Sequence, residues 1–333
     1  MRAYLTLHTQ TLLSNFATLK NVVQKDIIAV VKSNAYGHGL AEVAKALSSH
    51  AKMFAVATLE EAMLLRKNFV FTPILLFSPT LDFRMAYQLK VTLSTSSLDY
   101  LKAIVASGYP FPIHLSIDTG MHRDGILEEE LPFALQILEK SHLKLTGIYT
   151  HFTSREAYLE EYQIFLRCRE KIHKDHLMVH TQATSTFDIP LKECNAVRIG
   201  LALYGYGTPL TKPILELYAP VQRVVPVHAG DVVGYHDTPI KKDGYIYTLG
   251  IGYADGWKRN GTYYAYIGNK LVKNYGIMCM DHTMFFSKTL VKNYEIELFG
   301  PHVPLEKVAK KNHTIACDIT ASLSPRLKRK FKK

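Results

Sequence analysis

Short apolar runs recur along the first two-thirds of the chain, most of them followed by a stretch with helical spacing of its apolar positions. DIIAVV (26–31), MFAVA (53–57), PILLF (73–77), VTLS (91–94), PIHLSI (112–117), KLTGIYT (144–150), LMVHT (177–181) and NAVRIG (195–200) read as eight strands, VTLS being the weakest. Between them, LAEVAKAL (40–47) puts Leu40, Val43, Ala44 and Leu47 on one helical face. LEEAMLLRK (59–67), SLDYLKAIVAS (97–107), LPFALQILEK (131–140) and REAYLEEYQIFLRCREKIHK (155–174) are further helices, and TLLSNFATLKNVVQ (11–24) is the first. This alternation predicts an α/β fold in which residues 8–213 close into a (β/α)8, TIM-like barrel rather than an open sheet.

After Gly207 the texture changes. Residues 214–300 carry short apolar stretches separated by turns such as HAGD (228–231), KKDG (241–244) and IGNK (267–270), with no convincing amphipathic helix. That stretch reads as all-β, and it predicts a second, smaller and mainly β domain over 214–333. The opening RAYLTLH (2–8) alternates like a strand, and residues 1–7 are expected to pack on that second domain.

Composition narrows the class. With 333 residues, 47% of them hydrophobic, the chain can bury a sizeable core, and no apolar stretch approaches membrane-span length. MRAYLTLHTQ lacks the apolar core of a signal peptide. The four cysteines (Cys168, Cys194, Cys279, Cys317) show no paired metal-ligand spacing, so reduced thiols in a cytoplasmic protein without a metal are expected. The net charge is +11, partly from the tail LKRKFKK (327–333). That tail reads as a solvated end, with no nucleic-acid or membrane partner, while a basic surface would help attract an anionic ligand.

A barrel places its chemistry at the C-terminal ends of its strands. There the first strand runs into Lys32 of AVVKSNAYGHG (29–39), the fifth into DTGMHR (118–123), the sixth into Thr150 and His151, and the seventh into HTQATST (180–186). The eighth carries Arg198 and Gly200. Barrels often hold phosphate beyond strands seven and eight, where Thr184, Ser185 and the Gly200–Leu201 backbone lie here. A lysine facing a phosphorylated aldehyde suggests pyridoxal 5'-phosphate, a cofactor that lysine holds covalently.

At this point the motifs resemble those of the alanine racemases. AVVKSNAYGHG is similar to that family's cofactor-lysine motif. DTGMHR, YTHF (149–152), VRIGLALYG (197–205), GIGYADGW (250–257) and GIMCMDH (276–282) resemble its other motifs, in the same order. The resemblance implies a cytoplasmic isomerase that interconverts L- and D-alanine for cell-wall peptidoglycan by two-base proton transfer. It implies a homodimer with shared active sites. Lys32 would hold the cofactor and serve one face of the substrate, and Tyr253 of the neighbouring subunit the other. A free tyrosine has a pKa near 10, so Tyr253 would need tuning, with His151 beside it. Tyr36, Thr184, Gly200 and Leu201 would hold the phosphate. Arg198 would face the pyridine nitrogen, held by His180. An arginine there keeps its proton and disfavours protonation of the ring, which weakens the electron sink and limits side reactions such as transamination. Arg123 and Met280 would bind the substrate carboxylate, Asp281 would support the Met280 loop, and Tyr263 would narrow the way in.

Three departures stand out. Ser116 occupies the place of a lysine, often carbamylated, that orients the substrate arginine in many relatives, so an anion, water or another residue is expected to hold Arg123. Ala183–Thr184 replaces an Asn–Ser pair, and Ser322 stands near the place of a tyrosine. A differently shaped pocket follows, and with it an alternative: a racemase of another small amino acid. A non-catalytic pyridoxal-phosphate carrier would lack the β domain, and a barrel decarboxylase would be expected to carry an acid in place of Arg198.

Overall fold

The computed structural model describes residues 2–292 and 294–332. Two compact units divide the chain: Leu13–Ala35 with Gly39–Thr211, and Met1–Leu12 with Tyr36–His38 and Lys212–Lys333.

The strand β1 (Tyr4–His8) precedes the long helix Thr9–Val23. The first unit is then built on β2 (Asp26–Val30), β3 (Met53–Val56), β4 (Ile74–Leu76), β5 (Val91–Thr95), β6 (Pro112–Ser116), β7 (Lys144–Tyr149), β8 (Met178–His180) and β9 (Ala196–Ile199). All eight expected strands are present and parallel, in the order β8-β7-β6-β5-β4-β3-β2-β9. VTLS, the weakest in the sequence, is a fully buried five-residue strand. The ends approach closure through Asn195. Its N–H donates to Val179 O at 3.1 Å, while its side chain accepts from Val179 N at 2.9 Å and donates to Leu177 O at 2.8 Å. Arg198 N donates to Gln182 O at 3.0 Å. Strands buried on both faces explain the continuous apolar runs, because helices cover the outside and side chains fill the inside.

The helices follow their sequence signals. Thr58 and Glu61 form a capping box at the start of Leu59–Lys67, and the Ser97 hydroxyl caps Leu98–Ala106. The helix expected over 155–174 is shorter, Tyr158–Glu170, and a further one, Phe83–Gln88, starts from the Asp82 cap. No regular helix joins β8 to β9.

The second unit contains β10 (Leu215–Val227), β11 (Val232–Val233), β12 (Thr238–Pro239), β13 (Gly244–Leu249), β14 (Tyr264–Ile267), β15 (Lys270–Lys273), β16 (Thr283–Ser287), β17 (Glu295–Phe299) and β18 (Lys328–Lys332). Its main path runs β15-β14-β17-β10-β1-β18, with β13 and β16 extending the other half of β10. The unit is mainly β, as expected, and beyond residue 300 it adds two helices, Leu305–Lys311 and Ala316–Ser322, each burying one apolar side. The basic tail keeps its lysines in solvent but is regular: residues 328–332 form a parallel edge strand on β1, while Lys333 lies outside the described residues. The reason is local. Lysines alternate outward along this edge, and the Lys330 ammonium sits 3.2 Å from the centroid of the Tyr4 ring.

Candidate active site

Lys32 lies one residue past the end of β2, after Val31, and is half-buried. Beyond it the backbone turns left-handed: Ser33, Asn34, Ala35 and Tyr36 all have φ of 53° or 54°. Each non-glycine residue held so costs about 1–2 kcal/mol, so the turn must be fixed from outside. Part of that fixing comes from Asn34, whose Oδ1 accepts from Leu40 N at 2.8 Å and whose carbonyl accepts from Gly39 N at 2.9 Å. More comes from Glu61, a residue absent from the sequence-level site. Its Oε1 accepts from Ser33 N at 2.5 Å and Asn34 N at 3.4 Å, and its Oε2 from Ala57 N at 2.8 Å and Thr58 N at 3.3 Å. The one signal for Glu61 in the sequence is the capping-box spacing of TLEE (58–61).

Arg198 on β9 is 3% exposed, and its hydrogen-bond acceptors are all uncharged. Nη1 donates to His180 Nδ1 at 2.7 Å and to the His180 carbonyl; Nη2 donates to Thr150 O at 2.7 Å, Thr181 O at 3.2 Å and His151 Nδ1 at 3.3 Å. The guanidinium also lies 4.9 Å from the centroid of Tyr149. Burial pushes its pKa down to about 10, so it stays cationic at neutral pH.

A guanidinium only donates, which fixes the tautomers. Nδ1 of His180 is an acceptor, so its proton sits on Nε2 and is donated to His114 Nδ1 at 2.8 Å. Burial, with repulsion from Arg198, pushes His114 down to about 3 and His180 well below its ordinary value. His151 is likewise held at about 3 by burial and by repulsion from Arg198, Arg123 and Lys32. It is therefore neutral, with its proton on Nε2, away from Arg198. The chain Arg198–His180–His114 orients the guanidinium without neutralising it.

His151 and Thr150 line a pocket with Ser116, Arg123 and Asp124. Arg123 Nε meets Asp124 Oδ2 at 3.2 Å, so the residue beside it supplies an anion for this arginine. Asp118 shapes the same loop by accepting from Gly120 N and His122 N at 3.0 Å each. Past β8, Thr184 Oγ1 accepts from Ala202 N at 3.3 Å, at the head of the short 3-10 turn Leu201–Tyr204. Gly207 lies opposite: a Cβ there would come within 3.1 Å of Leu201 and 3.2 Å of Thr184, filling the cradle. The structure thus brings Lys32, Arg123, His151 and Arg198 together on one barrel face, with Thr184, Gly200 and Leu201 beyond them.

The other candidates belong to the second unit. Tyr253 opens the 3-10 turn Tyr253–Asp255, and its N–H donates to Cys279 O at 3.2 Å, while Ala254 N donates to Met280 O at 3.0 Å. The Tyr253 turn and the Met280 loop are therefore stitched together. Fully buried Asp255 meets Arg2 at 2.5 Å and Arg326 at 3.1 Å; Asp281 meets Arg326 at 2.5 Å and Arg2 at 3.2 Å. This four-membered ion ring gives Asp281 the loop-supporting place expected of it, and Arg326 holds its carboxyl below the usual range. Met280 itself is 54% exposed. Gly256 has φ of 103° and its Cβ position lies 2.1 Å from Ser322 O, so only glycine fits. Ser322 donates to Gly256 O at 3.1 Å. Burial pushes the Tyr36 phenol up to about 12. Tyr263 is a correction: it is 2% exposed, stacks on Trp257 at 4.0 Å and accepts from Lys258 N at 2.9 Å. Its ring fills the core of the second unit.

Family comparison agrees with this architecture. Residues 7–208 match the family model described as alanine racemase, N-terminal domain, and residues 214–331 the one described as alanine racemase, C-terminal domain. The alanine racemase of Geobacillus stearothermophilus is 31% identical over 95% of this chain and 90% of its own length. The solved alanine racemase of Clostridium difficile 630 superposes with a TM-score of 0.93 at 26% identity, covering 100% of this chain and 96% of that one. The Bartonella henselae alanine racemase, solved with covalently bound pyridoxal phosphate, gives a TM-score of 0.90 at 26% identity over 100% of both chains. With both domains matched in order and the whole fold shared, this chain belongs to the alanine racemase family.

Proposed function

We propose that the barrel face around Lys32 carries out the family's reaction, the interconversion of L- and D-alanine, with pyridoxal 5'-phosphate as its cofactor. The observation that carries this reading is Arg198: a buried, permanently charged guanidinium, oriented by neutral histidines beside Lys32. The residues suit the cofactor. The cradle between Thr184, Leu201 and Gly207 would accept a phosphate against the Gly200 and Leu201 N–H groups. When bound, the cofactor supplies an electron sink that acidifies the α-hydrogen of the amino acid.

The remaining chemistry belongs to the chain. Lys32 holds the cofactor and exchanges the proton on the D face. Tyr253, supplied by a second copy of the chain, exchanges it on the L face. His151, neutral and with Nε2–H turned away from Arg198, is available to tune that tyrosine. Arg123, oriented by Asp124 where relatives use a lysine, receives the substrate carboxylate together with the Met280 N–H of the same second copy that supplies Tyr253. Arg198 would disfavour protonation of the cofactor's pyridine nitrogen by like-charge repulsion and so keep the reaction to proton exchange. The four free cysteines accord with a cytoplasmic setting. Among the described residues no helix is long and apolar enough to cross a membrane.

The test joins chemistry to position. Purified protein supplied with the cofactor should convert L-alanine to the racemic mixture, and borohydride should fix the cofactor on the residue-32 peptide. Labelling at another lysine would overturn the Lys32 assignment. Faster turnover of another small amino acid would overturn the choice of substrate.

A further inference from the structure

We infer that Glu61 is a positioning residue for Lys32: its carboxylate clamps the left-handed turn that fixes where the lysine's backbone leaves β2. This rests on the reading of Lys32 given above. The carboxylate bridges two places in the barrel. One oxygen takes the N–H groups of Ser33 and Asn34, the two residues after Lys32. The other takes Ala57 N and Thr58 N, which lie just beyond β3 at the start of the next helix. β3 pairs with β2, and Val31 N donates to Ala55 O at 2.9 Å, so the anchor is part of the neighbouring strand's own frame.

The choice of residue follows from the donors. Four N–H groups converge on two oxygens, which only a carboxylate satisfies. An amide of the same shape would turn one NH2 group toward two donors. The turn needs such a hold, because Ser33, Asn34 and Ala35 all carry a Cβ in a region that L-residues avoid. Released, the turn would relax toward ordinary backbone angles and carry the Lys32 side chain off its bearing. The clamp shares the Thr58 N–H with the capping box, but the other half of that box, in which the Thr58 hydroxyl accepts from Glu61 N at 3.4 Å, leaves the carboxylate untouched.

Three variants separate the roles. In Glu61→Gln, exchange of the Ser33 and Asn34 amides should quicken at least about tenfold while the other barrel strands keep their protection. Its kcat for alanine should fall by about tenfold to a hundredfold with KM nearly unchanged, and attachment of pyridoxal phosphate to Lys32, trapped by borohydride, should slow in parallel. Thr58→Ala removes the hydroxyl half of the capping box and keeps the carboxylate's four N–H donors, so it should lower Tm and leave kcat alone. Adding Ser33→Gly to Glu61→Gln should recover part of the loss, since glycine enters the left-handed region freely. Parental kcat in Glu61→Gln, or a loss matched by Thr58→Ala, would overturn the proposal. Should Glu61→Gln not fold, amide exchange in the parent decides: unprotected Ser33 and Asn34 amides refute the clamp, and protected ones uphold it. If the parent itself fails to attach the cofactor at Lys32 while those amides are protected, the clamp stands but its catalytic purpose is overturned.

Discussion

Replacing Tyr253 by Phe removes one oxygen and leaves its 3-10 turn, tied to Cys279 and Met280 through backbone bonds, in place. Cofactor attachment should persist, while racemisation falls in both directions by about 10²–10⁴-fold, because each direction needs one group to remove a proton and another to return it. Exchange of the D-alanine α-hydrogen with deuterated solvent, served by Lys32, should survive with configuration retained, whereas L-alanine exchange should vanish. Near-normal racemisation would remove Tyr253 from the mechanism. The histidines make a second prediction at this scale. His114 and His151 titrate near 3 in the folded chain against an ordinary value of about 6.5. Between those limits the unfolded chain binds more protons, so stability is greatest above about pH 6.5 and falls as pH drops, each histidine adding a slope of up to about 1.4 kcal/mol per pH unit. Urea unfolding at pH 7, 6 and 5 reads this slope, which His114→Asn should flatten. Equal stability at pH 7 and 5 would contradict the neutral histidine chain.

At the level of elements, β7 carries the decisive irregularity. Its register against β6 shifts between Ile113 and His114, which leaves Thr146 as the extra residue and sets Gly147 opposite His114. His114 and His180 come from the strands on either side of β7, and their rings meet at 2.8 Å, so β7 must be bare where they cross. A Cβ on Gly147 would lie 2.6 Å from the His114 ring. Gly147→Ala should therefore displace His114, cost about 1–3 kcal/mol by overpacking and loosen Arg198 through His180. Urea unfolding together with a cofactor titration checks it; wild-type values in both would show that the histidine chain does not depend on this crossing. None of this is legible in KLTGIYT, because a bulge is a relation between two strands rather than a pattern within one.

For the whole molecule, the proposed completion of the site by Tyr253 of a second copy would make activity a property of the assembly. Mixing the inactive Lys32→Ala and Tyr253→Phe proteins under subunit exchange should restore activity, since one of the two hybrid sites holds both wild-type residues and the other neither. The recovered activity should approach half that of the parent dimer for each heterodimer formed. Demonstrated heterodimers without recovery would place both residues within one chain.

The sequence by itself determined the barrel, because eight largely buried parallel strands read as mostly apolar runs and each helix shows one apolar face. It also marked the face that bears Lys32, His151 and Arg198, since a barrel confines its loop chemistry to the strand ends. The tertiary structure alone decided how those residues are held. Glu61 reaches Ser33 across 28 positions, His114 reaches His180 across 66, and Arg2 reaches Asp255 across 253. It alone turned a basic tail into β18 and placed Tyr263 in a core stack. Local patterns record which side of an element is buried; which donor meets which acceptor is settled only when distant segments fold together.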